Sequence, residues 1–169
     1  MTEKIYITKP AMPPIEEFLP YLKNIWESQI LSNGGCFHEQ LEKELCNYLG
    51  VEYISLFSSG TTALIAALNL FDLGGEVITT PFSFVATSHA IKWNNLKPVF
   101  VDIERDTFNI SPKKIEQAIT DKTTAILPVH CYGIPCDVEA IDHIAKKYNL
   151  KVIYDASHAF GVENRSGSI

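Results

Sequence analysis

The chain has 169 residues, 46% of them hydrophobic and 20% charged, which is enough to bury one sizeable core, so a single domain is the default. A net charge of −6 argues against nucleic acid, which is held through basic patches. The longest apolar run, near Ala63–Phe71, is interrupted by Asn69 and falls short of a membrane span, so no membrane partner is expected.

In chain order, the opening MTEKIYITKP lacks the apolar stretch of a signal peptide, and a cytoplasmic location is expected. Pro13–Ser28 has the pattern of an amphipathic helix, with Pro13 and Pro14 suited to its first turn. Ser32-Asn33-Gly34-Gly35 is a loop by composition. Phe37, Leu41, Leu45, Tyr48 and Leu49 recur at helical spacing, and Gly50 is placed to end that helix. From there strands and helices alternate. Strands are predicted at Tyr53–Phe57, Glu76–Thr80, Pro98–Val101, Thr124–Pro128 and Lys151–Asp155. Helices are predicted at Thr61–Leu70, Phe84–Trp93, Pro112–Ile119 after Ser111, and Val138–Tyr148 after a capping Asp137. Strands this apolar, separated by helices, imply an α/β fold with a mostly parallel sheet covered on both faces. Val162–Ile169 resembles an outgoing strand and turn at Arg165-Ser166-Gly167 with nothing to pair with, as in a truncated chain.

Four cysteines, Cys36, Cys46, Cys131 and Cys136, are too sparse for a disulfide scaffold and are expected to be reduced. His130, Cys131 and Cys136 fit no common zinc spacing, so no metal is expected.

In parallel sheets ligands sit at the carboxyl ends of the strands, and four features fall there. The first is Ser58-Ser59-Gly60-Thr61-Thr62, between an apolar run and a helix. Its free amides would attract an anion such as phosphate, although Ser59 or Thr61 could equally be a plain N-cap. The second is Phe84, a platform for a flat ring or a core residue. The third is His130-Cys131-Tyr132-Gly133. The fourth is Asp155-Ala156-Ser157-His158. A carboxylate directly after an apolar strand is costly without a partner. Asp155 therefore reads either as the partner of a cationic ring nitrogen or as a turn cap. His158 reads as a ligand of a cofactor oxygen or as a satisfied buried histidine. Phosphate cradle, ring platform and carboxylate together describe a site for pyridoxal 5′-phosphate (PLP).

The segments LSNGG, FHEQLEKELCNYLGV, LFSSGTTAL, GGEVITTPFSFVATSHAI, PVFVDIERDTFNI, ILPVHCYGIPCDVEAI and VIYDASHAFGVE, in this order, carry a resemblance. The chain resembles the DegT/DnrJ/EryC1/StrS family of PLP-dependent sugar aminotransferases over essentially its whole length. The resemblance implies a portion of the large domain of PLP-dependent transferase fold type I, with residues 1–50 an N-terminal helical segment and 51–169 a partial PLP-binding domain. It also implies that Gly60, Thr61 and Thr62 hold the cofactor phosphate, and that Phe84 stacks on the pyridine ring. Asp155 would pair with the pyridinium nitrogen so that the ring serves as an electron sink, and His158 would lie near its phenolic oxygen. Ser32, Asn33 and Gly34 match a loop near the sugar substrate in relatives.

The family's Schiff-base lysine lies in a Ser-Phe-His-x-x-Lys type motif, expected downstream of Ile169, and Lys146, Lys147 and Lys151 lack that context. No catalytic lysine is assigned within these residues, and the 169-residue chain alone is expected to be inactive. For the intact protein the resemblance implies amino transfer from L-glutamate to a nucleotide-linked keto sugar, in a homodimer. His158 followed by Ala159-Phe160-Gly161 is commoner in relatives that aminate C4, pointing to a dTDP-4-keto-6-deoxyhexose. Two other readings stay open: a pyridoxamine-dependent sugar dehydratase of the same family, and a short non-catalytic product that binds a phosphate ligand.

Overall fold

The computed structural model describes residues 8–164 together with 167 and 168. The expected turn at Arg165-Ser166, the terminal Ile169 and residues 1–7 lie outside the described residues. The chain divides into two compact units, Met1–Lys43 and Glu44–Ile169.

In the first unit, helix α1 (Ile15–Ser28) starts after Pro14, with Glu16 and Glu17 in the first turn, where carboxylates complement the positive end of the helix dipole. It ends on Gln29 in the left-handed region, whose amide donates to the Ile25 carbonyl. Helix α2 (Cys36–Leu49) follows the Ser32–Gly35 loop and crosses the unit boundary after Lys43, and the rings of Tyr21 and Phe37 meet edge to face at 5.3 Å.

In the second unit, residues 51–57 form no strand. The expectation of a strand at Tyr53–Phe57 is corrected: among the described residues this run pairs with no ladder, and Tyr53 and Phe57 are exposed. The apolar alternation was present, but a strand also needs a neighbour that takes its amide and carbonyl groups. Helix α3 (Gly60–Leu70) follows, then strand β1 (Glu76–Thr79), helix α4 (Val85–Trp93) and strand β2 (Lys97–Phe100). Helix α5 (Pro112–Ala118), strand β3 (Thr123–Ile126), a 3-10 turn (Cys131–Gly133), helix α6 (Val138–Tyr148) and strand β4 (Lys151–Val152) complete the αβ alternation. A short antiparallel pair, β5 (Glu163–Asn164) and β6 (Gly167–Ser168), comes last.

The main sheet runs β2-β1-β3-β4, every pairing parallel. Beyond its ends the ladder continues through an isolated bridge between Val129 and Asp155. Entry to β1 depends on Gly75, at φ +78°, where a Cβ would stand 2.3 Å from the Lys122 carbonyl oxygen. Successive strand residues serve opposite faces. Val77, Ala125 and Leu127 pack with Leu64, Leu68, Ala90 and Ile91 of α3 and α4. Ile78 and Ile126 pack with Ile115, Ile141 and Ile144 of α5 and α6. The result is a three-layer sandwich whose strands are apolar on both sides, and the site loops after β1, β3 and β4 emerge at the carboxyl ends of those strands.

Pro98 sits in the edge strand β2, opposite Val77. The amides of Lys97 and Val101 donate to Gly75 and Thr79, so by alternation position 98 turns its missing donor away from β1.

Candidate functional site

The start of α3 and the end of the β4 strand meet in one cleft. Its wall includes Gly60, Thr61, Ser83, Phe84, Val129, Asp155, Ser157 and His158, around an open space of about 600 Å³. Ser59 caps α3, its hydroxyl accepting from the Thr62 amide at 3.2 Å, while the Thr62 hydroxyl donates to the Ser59 carbonyl at 2.8 Å. Thr62 is therefore spent on the cap and is not part of the cleft wall. The Gly60 and Thr61 amides have no hydrogen-bond partner among the described residues, as expected for the first amides of a helix. A Cβ at Gly60 would stand 3.3 Å from the Ser157 hydroxyl, so glycine there lets the helix start approach the Asp155 loop.

Asp155 is buried, with 5% of its surface exposed. The Thr87 hydroxyl donates to its Oδ2 at 2.8 Å, and the Ser157 amide and hydroxyl donate to its Oδ1 at 3.1 and 2.6 Å. Because Thr87 gives its hydrogen to the carboxylate, the 2.7 Å contact between Ser83 and Thr87 has Ser83 donating. No cationic side chain pairs with Asp155 among the described residues. The carboxylate is thus fixed by three donors at the edge of an open cleft, with no cationic partner among the described residues. Such a group is suited to a cation entering from the cleft.

Phe84 stands at the N-cap position of α4 with 72% of its surface exposed, which excludes the core reading. His158 is exposed as well; its Nδ1 accepts from the Tyr132 amide at 3.4 Å, and its ring stacks on Tyr132, centroids 5.8 Å apart. Ser32, Asn33 and Gly34 are exposed in the loop of the first unit.

A second cleft of about 520 Å³ adjoins the first and shares Ser83, Phe84, Val129 and His158 with it. Its outer wall is aromatic: Phe82 stacks on Phe108 at 5.5 Å, and both meet the Tyr132 ring edge to face. Beneath that wall lies Asn109, 3% exposed, with its amide group fully used. Oδ1 accepts from the Cys131 amide at 2.8 Å, and Nδ2 donates to the Ile134 and Pro135 carbonyls at 2.9 Å each. His130 is buried behind the cleft, stacked on Tyr154, and its Nδ1 accepts from the Cys136 amide at 3.0 Å. Burial holds its basicity below the usual histidine range, only partly offset by the Asp155 charge. Burial also pushes the Cys136 thiol up to about 12, leaving it an inert packing group. No cluster suited to a metal occurs among the described residues.

Thr87, Ser157 and Asn109 are the polar groups that sequence reasoning passed over. Ser157 was within reach as a short turn two residues after an aspartate. Thr87 and Asn109 gave no such signal, because their partners lie 68 and 22 residues away.

Residues 14–168 match the family model of the DegT/DnrJ/EryC1/StrS aminotransferase family. A dTDP-4-amino-4,6-dideoxy-D-glucose transaminase of Escherichia coli is 61% identical over 165 residues, covering 98% of this chain and 44% of that protein. Among solved structures, DesI in the presence of its TDP-sugar product aligns with a TM-score of 0.86 at 34% identity, over 90% of this chain and 39% of that one. NtdA of Bacillus subtilis, solved with bound cofactor PMP, aligns with a TM-score of 0.83 at 41% identity, over 87% and 34% of the two chains. The chain spans less than half the length of the curated relatives it matches, 44% and 46% for two of them.

Proposed function

The chain belongs to the DegT/DnrJ/EryC1/StrS aminotransferase family, and from that premise we propose that it is the coenzyme-binding part of a PLP-dependent sugar aminotransferase. The amino donor is L-glutamate and the acceptor a nucleotide-linked keto sugar, C4 of a dTDP-4-keto-6-deoxyhexose. The working form is a homodimer. Support for the acceptor comes from the transaminase of Escherichia coli and from DesI with its TDP-sugar product.

The observation that carries the reading is the buried Asp155 carboxylate, held by three donors, without a cationic partner among the described residues, in the same cleft as the open amides of Gly60 and Thr61. An anion at one end and a protonated ring nitrogen at the other are what those groups complement. PLP, when bound, carries the amino group between donor and acceptor and withdraws electrons from the reacting carbon. The Gly60 and Thr61 amides hold its phosphate at the positive end of α3. Asp155 keeps a proton on the ring nitrogen by charge pairing, and Thr87 and Ser157 keep Asp155 aimed. Phe84 offers a face for the ring, and His158 a donor beside it. The Ser32–Gly34 loop is assigned to the sugar side.

The test pairs coenzyme titration with an amino-transfer assay on the full-length protein, using L-glutamate and a dTDP-linked 4-keto-6-deoxyhexose. Asp155→Asn should retain much of the PLP affinity and lose nearly all transfer. Unchanged turnover would remove Asp155 from the mechanism, and no PLP binding by the wild type would remove the reading itself.

A further inference from the structure

We infer that Asn109 is a positioning residue of the cleft, fixing the turn that lays Tyr132 against His158. The turn Cys131–Gly133 has an unfavourable backbone of its own: Tyr132 sits at φ 53° and ψ 29°, in the left-handed region that bulky residues avoid. Something must hold it there. The Ile134 amide donates to the Cys131 carbonyl, the Cys136 amide and thiol reach back to His130 Nδ1 and the Val129 carbonyl, and the three bonds made by Asn109 grip both ends of the loop from outside it.

Asn109 is itself anchored from behind. Its carbonyl accepts from the Glu104 amide at 2.8 Å, and the bridge between Ile103 and Ile110 closes the same loop. Its neighbour Phe108, at φ 59°, places a ring against Phe82 and against the edge of Tyr132. The Asn109 loop therefore governs Tyr132 twice, through the backbone by hydrogen bonds and through the ring by packing. Tyr132 in turn governs His158, by an amide hydrogen bond to Nδ1 and by near-parallel rings, 4° apart in plane. An amide donated to Nδ1 leaves the Nε2 hydrogen as the one His158 can offer to the cleft when neutral. Asn109 sets a donor it never touches.

The effect on coenzyme affinity rests on the proposed PLP reading; the effect on His158 does not. The experiment follows the imidazole proton shifts of His158 by NMR in the coenzyme-free protein, assigned with His158→Gln, and then titrates PLP. Asn109→Ala and Tyr132→Ala should each move the His158 shifts toward their random-coil values. Ile115→Val, a core change in α5, should leave them in place, which separates positioning from general loss of stability. Asn109→Ala and Tyr132→Ala should each raise the PLP dissociation constant several-fold, and the double variant should add nothing further. If Asn109→Ala does not fold, Asn109→Asp, which keeps the acceptor and loses both donors, carries the same measurements. Unmoved His158 shifts in the Asn109 variants overturn the inference. Shifts that move as expected in the variants, alongside a wild type that binds no PLP, overturn the functional reading and leave the positioning role standing.

Discussion

A single carboxylate shows how burial and chemistry combine in this chain. Asp155 follows the apolar run of β4, and its environment was foreseeable from that position alone, since a charge there needs partners. Its actual partners were not foreseeable. Thr87 lies in the first turn of α4, where a threonine in sequence reads as an ordinary helix position, and only the packing of α4 on the sheet brings its hydroxyl to the carboxylate. Phe84 is a case where the sequence left two readings, and its exposure removes the core one. An open aromatic face beside Asp155 gains from stacking, so Phe84→Ala should weaken PLP retention by about 1 kcal/mol, roughly five-fold in dissociation constant. Fluorescence titration checks this, and equal affinity would show that the ring does not touch the coenzyme.

The helices were read to within a residue or two at their ends, and at α3 and α6 a capping side chain marks the start. Asp137 accepts from the Ala140 amide at 3.0 Å and opens α6 where the sequence placed it; Ser59 does the same for α3. Asp137→Ala and Ser59→Ala should each lower the unfolding free energy by about 1 kcal/mol in urea titrations. Only Ser59→Ala should also weaken PLP binding, since that cap fixes the turn whose amides face the cleft. A matched loss of affinity in Asp137→Ala would mean that the cap at Ser59 has no special relation to the site. The strand expected at Tyr53–Phe57 failed for a reason of the same scale. Side-chain alternation is written in one segment, whereas a ladder belongs to two, and a single run of sequence does not carry its neighbour.

For the molecule as a whole, the αβ alternation made the layered architecture readable, because continuous apolar strands leave no face for water. Stability against acid was not readable, since it depends on which histidine is enclosed. His130 is buried and its basicity is lowered, so the folded chain resists protonating it while the unfolded chain does so at the ordinary histidine value. As pH falls below that value the unfolded state binds the extra proton, and stability declines until the folded value is passed. Urea midpoints should therefore drop as pH falls below the ordinary histidine value of about 6.5, and the drop should shrink in His130→Gln. A drop that persists unchanged in His130→Gln would place the titrating burden elsewhere. The open flank of the sheet has its own protection. A foreign chain adding itself alongside β2 would find, at Pro98, a ring in place of a donor, and could not complete its zipper. Among the described residues β2 is thus an outer strand that carries its own stop against fibre-like stacking with like chains.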